Sequence, residues 1–204
     1  MSLILHHLFP IPVLDTKIDD GIIDNALSLV NTFVEDKKLL ANSLPGDLVT
    51  TFYDDKDLLG TLKAYDLLNE ITINSRTFME LLGYDKDSHI EISSWLQYNK
   101  PQSHFFRHDH YGALVSGVVY LQTPEKCGDI VFHTPLELRR AHGTFYSRLK
   151  VQENNYNFDD IRITPQKGVM LLFDSWLQHT VERNYSTENR ISISFNIMAG
   201  KIVD

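Results

Sequence analysis

The stretch "FFRHDHYGALVSGVVYL", residues 105–121, joins a polar cluster to a run rich in Val, Tyr and Leu. β-Branched and aromatic residues at this density are typical of a β-strand. Side chains alternate along an extended chain, so His108 and His110 point to one side and Asp109 to the other. Two imidazoles on one side can bind one metal ion. The stretch therefore predicts a strand-borne metal site, with an ordinary surface or core position for the two histidines as the alternative.

Further short segments with strand composition follow residue 90 and are separated by turn-forming residues. Before residue 90 the pattern is helical, with a second helical region within residues 55–85 and Gly83 as its stop. The first helical stripe contains Ile22, Ile23, Ala26, Leu27, Val30 and Phe33. Helices followed by strands predict an α+β fold, in which N-terminal helices pack on one side of a β-sandwich or barrel.

The chain has 204 residues, a formal net charge of −8 and one cysteine. This length suits one core, so we expect a single domain over 1–204, with 1–89 as mostly helical support and 90–200 as the β core. The acidic balance argues against a nucleic-acid partner, which would need a basic face. The start of the chain lacks the charge pattern of a signal peptide, and no window suits a membrane span. We therefore expect a cytoplasmic protein without a membrane partner; no pattern indicates its oligomeric state.

The stretch "RISISFNI", residues 190–197, alternates polar and apolar residues. Arg190, Ser192, Ser194 and Asn196 share one strand face, and the apolar residues share the other. If the polar face meets solvent, this is an ordinary half-exposed strand. If it lines the inside of a barrel, the buried arginine requires an anion such as a ligand carboxylate.

A third ligand for the histidine pair is offered by His179, which follows the strand-like stretch "GVMLLFD". Three protein ligands leave positions on an ion for substrate or oxygen. Imidazole binds iron, zinc, copper and nickel alike, so the residue type does not select the metal. The other histidines show no metal-binding spacing, and we expect them to be surface or hydrogen-bonded residues. They are His6, His7, His89, His104, His133 and His142.

Four sequence blocks together resemble the 2-oxoglutarate and Fe(II)-dependent oxygenase superfamily, and within it a bacterial and phage branch related to the prolyl hydroxylases. The blocks are His108–His110, Ser116–Tyr120, Phe173–His179 and Arg190–Asn196, within residues 92–199. The resemblance implies a double-stranded β-helix, or jelly roll, whose mouth holds the iron. It further implies Fe(II), 2-oxoglutarate as cosubstrate, O2 as oxidant, and an enzyme that hydroxylates an organic substrate. A peptidyl (prolyl-type) side chain is one such substrate.

The resemblance also implies an iron-binding triad. In the superfamily the ligands are a histidine, the residue two positions later and a distal histidine, which correspond to His108, His110 and His179. Most members have Asp or Glu at the second position. Three interpretations follow: the site works with three histidines, a local bulge brings Asp109 to the metal, or His110 is not a ligand. Strand alternation and the branch pattern favour the first.

For the cosubstrate, the resemblance implies that Arg190 binds the distal carboxylate of 2-oxoglutarate, assisted by the hydroxyl of Ser192. Tyr98, ten residues before the first triad histidine, corresponds to a tyrosine that reaches the cosubstrate in prolyl-hydroxylase-like members. Tyr120 is a further candidate for the same cavity. Residues expected near the ligands, in a supporting role, are Asp109, Asp174, Trp176 and Asn196, with core packing as the alternative for the tryptophan.

Two other function classes compete with the oxygenase. One is a cupin-like three-histidine metalloenzyme that does not use 2-oxoglutarate, and the other is a non-catalytic jelly-roll binding module. Arg190 with Ser192 distinguishes the oxygenase from the cupin, which needs no carboxylate anchor there. The composition of residues 135–160 predicts a long polar loop, and we expect this loop to be a lid or a segment that selects the substrate. Prolyl and other peptidyl substrates, within a protein or peptide, and free small-molecule substrates all stay open, because loops of this kind set the specificity.

Overall fold

The structure is a computed structural model, and it describes residues 4, 6, 9–41, 43–44, 46–136, 145, 147–152, 154 and 157–199. Its helices are α1 (Asp20–Asp36), α2 (Leu58–Leu62) and α3 (Tyr65–Leu81), with a short 3-10 turn at Ser147–Leu149. Its strands are β1 (Val13–Lys17), β2 (Leu48–Thr50), β3 (Ile90–Asn99), β4 (Phe105–His108), β5 (Val115–Gln122), β6 (Ile130–His133), β7 (Asp160–Ile163), β8 (Val169–Asp174), β9 (His179–Val181) and β10 (Arg190–Ala199).

The strands form two sheets. The larger has the order β1-β8-β5-β10-β3-β2, and the smaller has the order β4-β9-β6-β7. Neighbouring strands in both sheets are antiparallel. Phe132 of the smaller sheet packs with Val118, Leu171 and Phe173 of the larger one, so the sheets face each other across a core. Two facing antiparallel sheets with helices on one of them are the predicted α+β jelly roll.

The helices cover the outer face of the larger sheet. In α1 the buried stripe includes Ile23 and Val30, as the periodicity predicted, and in α3 it includes Ile71 and Phe78. The side chain of Asp19 accepts a hydrogen bond from the Gly21 N–H and caps α1. These stripes form one apolar cluster with the helix-facing residues of the larger sheet. Burial of that face fixes which side of each strand is left for the other sheet.

β10 lies in the middle of the larger sheet, between β5 and β3. Its Ile191, Ile193 and Phe195 belong to the helix-side core, so the alternate residues face the smaller sheet. Arg190 and Ser192 on that second face are also buried. The inward orientation of the polar face is therefore confirmed, and the solvent-facing alternative is wrong.

The N-terminal part of the chain contributes strands as well as helices. β1 pairs with β8 and β2 pairs with β3, so both extend the larger sheet. Gly83, with a φ of +85°, follows the end of α3 as predicted. No helix in the described part of the chain is long and apolar enough to cross a membrane. The predicted lid loop, 135–160, includes residues 137–144, 146, 153, 155 and 156, which lie outside the described residues.

Candidate metal centre

Three imidazoles converge between the two sheets at one end of β4 and β9. His108 ends β4 and is the direct register partner of His179, the first residue of β9. Their ring centroids are 4.2 Å apart. His110, two residues beyond β4, lies 5.1 Å from the first ring and 5.2 Å from the second. The ligand atoms of the three residues all lie within 4.8 Å of one another, and no other His, Cys, Asp or Glu cluster of this kind occurs within the described ranges.

Backbone carbonyls orient two of these rings. Nδ1 of His108 is 2.8 Å from the carbonyl oxygen of Phe106, and Nδ1 of His179 is 2.9 Å from that of Leu177. A carbonyl can only accept, so Nδ1 carries the proton in both rings and Nε2 keeps its lone pair. This is the arrangement in which a histidine binds a metal through Nε2 while its other nitrogen is held in place.

The electrostatic environment keeps the three imidazoles neutral. Burial lowers the pKa of His110 to about 4, and repulsion from a protonated His108 acts in the same direction. Burial, with repulsion from the other two imidazoles, lowers the pKa of His179 to about 3. The pKa of His108 is lowered as well, mainly by burial. At neutral pH all three rings are therefore in the neutral form that binds metal.

Asp109 points away from this cluster. It is exposed, and its carboxylate accepts a hydrogen bond of 3.3 Å from the side-chain amide of Gln178. The pairing of β4 with β9 does contain an irregularity between Phe105 and His108, yet it does not turn Asp109 inward. The backbone N–H of His110 donates to the Ser175 carbonyl at 2.9 Å, which anchors that segment.

The imidazoles open into a cavity between the sheets, with about 530 Å³ of empty space including its mouth. Arg190 lines the same cavity and is only 2% exposed. Its Nη1 donates to the carbonyls of Cys127 at 3.0 Å and Gly128 at 2.8 Å. Its Nε has no hydrogen-bond partner within the described part of the chain. Burial lowers the pKa of this guanidinium, but an arginine stays charged, so the free edge of Arg190 requires an anion.

Two of the other predicted cosubstrate residues line the cavity and one does not. Ser192 and Tyr120 are register partners on β10 and β5, and both face the cavity. Burial raises the pKa of Tyr120, which keeps its hydroxyl protonated. Tyr98 pairs with Ile191 and packs in the helix-side core, where its hydroxyl accepts a hydrogen bond of 3.1 Å from Asn189. The assignment of Tyr98 to the cosubstrate is not supported, because β3 turns that side chain to the opposite face.

Besides Trp95, the cavity-facing residues of β3 are Gln97 and Asn99, the register partners of Ser192 and Arg190. Neither Gln97 nor Asn99 was predicted from the sequence. Alternation within "WLQYN" separates Tyr98 from its two neighbours, but only the pairing with β10 shows which set faces inward.

The residues predicted to support the ligands lie in different places. Asn196 accepts a hydrogen bond of 2.7 Å from the hydroxyl of Ser116. Asp174 ends β8, and burial raises the pKa of its carboxyl. Trp176 is 50% exposed, so the alternative of core packing is wrong. Aromatic rings that were not predicted surround the histidines instead. They are Phe105, against His108, Trp95, against His110, and Phe132 and Phe173, against His179.

Comparison with protein families identifies this arrangement. A family model described as "Putative 2OG-Fe(II) oxygenase" matches residues 93–196, about half of the chain. The chain belongs to this 2-oxoglutarate and Fe(II)-dependent oxygenase family. The match confirms that the protein is an oxygenase with Fe(II) as its metal and 2-oxoglutarate as its small-molecule cosubstrate. Comparison with curated proteins gives no match.

Solved structures share the fold at low sequence identity. The α-ketoglutarate-dependent carbocyclase SnoK from nogalamycin biosynthesis has a TM-score of 0.62 and 12% identity, over 93% of this chain and 80% of that one. HygX from Streptomyces hygroscopicus, with nickel and 2-oxoglutarate bound, has a TM-score of 0.59 and 14% identity, over 94% and 84%. A Pseudomonas putida prolyl-4-hydroxylase has a TM-score of 0.59 and 11% identity, over 92% and 93%. The predicted jelly roll is confirmed.

The residues of this chain fit the cofactor and cosubstrate of the family. The three neutral imidazoles offer nitrogen ligands of the kind that non-haem iron accepts. The unpartnered Nε of Arg190 is the part of the cavity that a carboxylate would satisfy.

Proposed function

We propose that His108, His110 and His179 bind the Fe(II) of this oxygenase, and that the enzyme hydroxylates an organic substrate. A peptidyl side chain, as in prolyl hydroxylation, is the substrate class that we favour. The observation that supports this most is the shared cavity, because the three imidazoles and the free edge of Arg190 line the same space. A dicarboxylate that reaches the metal at one end can therefore meet the guanidinium at the other.

When bound, Fe(II) supplies the activation of O2 that is coupled to decarboxylation of 2-oxoglutarate. The chain supplies binding and orientation. Arg190 holds the distal carboxylate, and the two carbonyls on its Nη1 fix the guanidinium so that its Nε edge faces the ligand. Ser192 and the protonated hydroxyl of Tyr120 add hydrogen-bond donors to the same region. The aromatic rings around the histidines exclude water from the reacting end.

The buried arginine favours this function over its competitors. A cupin-like enzyme that does not use 2-oxoglutarate gains nothing from an unpaired buried cation in its metal cavity. A non-catalytic module that binds no anion here would have to tolerate that unpaired cation, at a cost of about several kcal/mol. Membership of the oxygenase family agrees with the cosubstrate role.

The surface near the metal centre supports a substrate with an apolar body. Phe106 and Trp176 are 74% and 50% exposed, and Tyr111 is fully exposed. Each lies within three residues of a triad histidine in the sequence. Aromatic side chains are frequent at sites that recognise peptides and proteins. The similar structures include a prolyl-4-hydroxylase but also a carbocyclase, so the reaction outcome needs a direct test.

Anaerobic titration tests the site. Fe(II) is added to the protein, then 2-oxoglutarate, and the visible metal-to-ligand charge-transfer band is recorded. We expect the band in the wild-type protein and its loss in Arg190→Ala. Arg107→Ala is the matched control, because Arg107 is an exposed arginine of β4 that bonds to Gln178. Tight metal binding without any response to 2-oxoglutarate would favour the cupin-like alternative.

A second assay tests the substrate class. Succinate formation is measured with peptide mixtures and with free small molecules, and products are analysed for oxygen derived from labelled O2. We expect peptides to stimulate turnover and to gain one oxygen atom. A product without incorporated oxygen would show that the enzyme catalyses an oxidation other than hydroxylation.

A further inference from the structure

Gln97 has a buried amide oxygen without a partner. Within the residues that the structure describes, three buried side-chain polar atoms lack a hydrogen bond: Oγ of Ser75, Oε1 of Gln97 and Nε of Arg190. The last two belong to residues that line the metal cavity. An unsatisfied buried polar group is costly. Because both residues line one cavity, a bound ligand can supply hydrogen-bond partners to both.

The pairing of β3 with β10 places Gln97 along the path of the cosubstrate. Three register pairs face the cavity, and they are Asn99 with Arg190, Gln97 with Ser192, and Trp95 with Ser194. The ring of Trp95 lies 5.7 Å from the ring of His110, so β3 runs from the metal centre towards the arginine. Same-face residues of a strand are about 7 Å apart. Gln97 therefore stands between the two ends of the site, directly opposite Ser192.

We propose that Gln97 is a cosubstrate-binding residue, whose amide N–H donates to the distal carboxylate that Arg190 holds. The inference rests on the proposed function of this cavity. An amide carries a donor and an acceptor on one planar group, and half a turn of that group exchanges Nε2 and Oε1. Nε2 can thus occupy the position where Oε1 now has no partner. Gln97 thus takes the cosubstrate contact that was predicted for Tyr98.

The chemistry of this contact makes Gln97 a selector of dicarboxylates. A neutral amide adds a donor to the carboxylate cradle without adding charge. A 2-oxo acid of the same carbon chain that ends in a methyl group, 2-oxopentanoate, can still chelate a metal but offers nothing to Gln97. Removing the amide should therefore weaken binding of the dicarboxylate alone.

The test compares two ligands and three variants in the Fe(II)-loaded protein without oxygen. Gln97→Met keeps the side-chain size and removes the amide. Gln97→Glu replaces the amide with a carboxylate, which carries the same charge as the distal carboxylate of the cosubstrate. Tyr98→Phe is the control, because it removes a hydroxyl on the opposite face of the same strand. We expect Gln97→Met to raise the Kd of 2-oxoglutarate about 10-fold or more, and Gln97→Glu to raise it further. Both should leave the Kd of 2-oxopentanoate within about 2-fold, and Tyr98→Phe should leave both constants unchanged.

The outcomes separate this inference from the proposed function. Wild-type protein that does not bind 2-oxoglutarate would overturn both. Wild-type binding with no change in Gln97→Met would overturn the role of Gln97 alone. An equal loss of affinity for 2-oxoglutarate and 2-oxopentanoate in the Gln97 variants would also overturn it. That result would show that Gln97 only maintains the structure of the cavity. Fe(II) affinity, measured on the same samples, should not change.

Discussion

Position 110 carries an imidazole where most of the superfamily has a carboxylate. With His110 as a ligand, as proposed, the Fe(II) complex would be one unit more positive than with a ligand set of two histidines and one carboxylate. The cavity already contains the charged Arg190, so bound 2-oxoglutarate brings the negative charge that the protein ligands do not. For the proposed ligand set, this charge balance predicts that metal and cosubstrate bind more interdependently than at a site with its own carboxylate.

Substitution of His110 distinguishes the three interpretations of the ligand set. We expect His110→Ala to weaken Fe(II) binding roughly 100-fold or more, since loss of a ligand exceeds loss of an outer hydrogen bond. His110→Asp should retain binding, because it recreates the common ligand set. Asp109→Ala is the control and should bind as the wild type does. Anaerobic Fe(II) titration checks each variant. Loss of binding in Asp109→Ala, with none in His110→Ala, would identify the aspartate as the ligand.

Some residues of the candidate site could be predicted from the sequence, and others could not. Strand alternation put His108 with His110 on one side and made an inward Arg190 one of two alternatives, and the resemblance then supplied their order and their spacing to His179. Tyr98 was misplaced because strand register depends on contacts distant in sequence, and a shift of one residue turns every side chain to the other face. Gln97 carries no sequence signal of its own. It became a candidate only when its pairing with Ser192 was known.

At the scale of elements, a side-chain network joins three strands of the smaller sheet. Nδ1 of His133 on β6 is 2.6 Å from the carboxylate of Asp160 on β7. Its Nε2 is 2.5 Å from the hydroxyl of Thr180 on β9. Both ring nitrogens are thus partnered, as predicted for a hydrogen-bonded histidine. Thr180 follows His179 directly, so the network secures the strand that carries this proposed metal ligand.

Removal of the network should cost stability. We expect His133→Ala to lower the free energy of unfolding by about 1–3 kcal/mol, because the half-buried Asp160 and Thr180 lose their hydrogen bonds to the imidazole. His89→Ala is the control, since His89 is exposed, and it should change stability by less than about 0.5 kcal/mol. Urea unfolding measures both. Equal stability of the two variants would show that the network does not hold β9.

The succession of helices and strands could be predicted from the sequence, whereas the edge strands of the larger sheet, β1 and β2, could not. The helical stripe of α1 and the alternation in β10 are local patterns, and both appear as expected. The pairing of β1 with β8 joins segments that are far apart in the chain. No local pattern specifies that partner. The N-terminal region was therefore expected to be mostly helical, although two of its segments complete the larger sheet.

For the whole molecule, the site bridges the two sheets. His108 and His179 belong to the smaller sheet, whereas Arg190 and Ser192 belong to the larger one. A metal-bound dicarboxylate that also contacts the arginine therefore links the sheets across the cavity. The metal alone, or the dicarboxylate alone, makes only part of this connection between the sheets. The geometry thus predicts coupling between metal binding, cosubstrate binding and global stability.

Thermal unfolding measures this coupling. We expect metal and 2-oxoglutarate together, each at about 100 times its Kd, to stabilise the fold by roughly 3 kcal/mol or more. That stabilisation corresponds to an increase in Tm of about 6–12 °C for a chain of this size. Mn(II) can replace Fe(II) to avoid turnover. The combined increase should exceed the sum of the two separate ones, because the dicarboxylate reaches Arg190 firmly only when its other end is held by the metal. In Arg190→Ala the excess should vanish while the metal-only increase remains. If 2-oxoglutarate raised the Tm of chelator-treated protein as much as it raises the Tm of metal-loaded protein, the cosubstrate would bind without the metal. That result would contradict a bridge between the sheets.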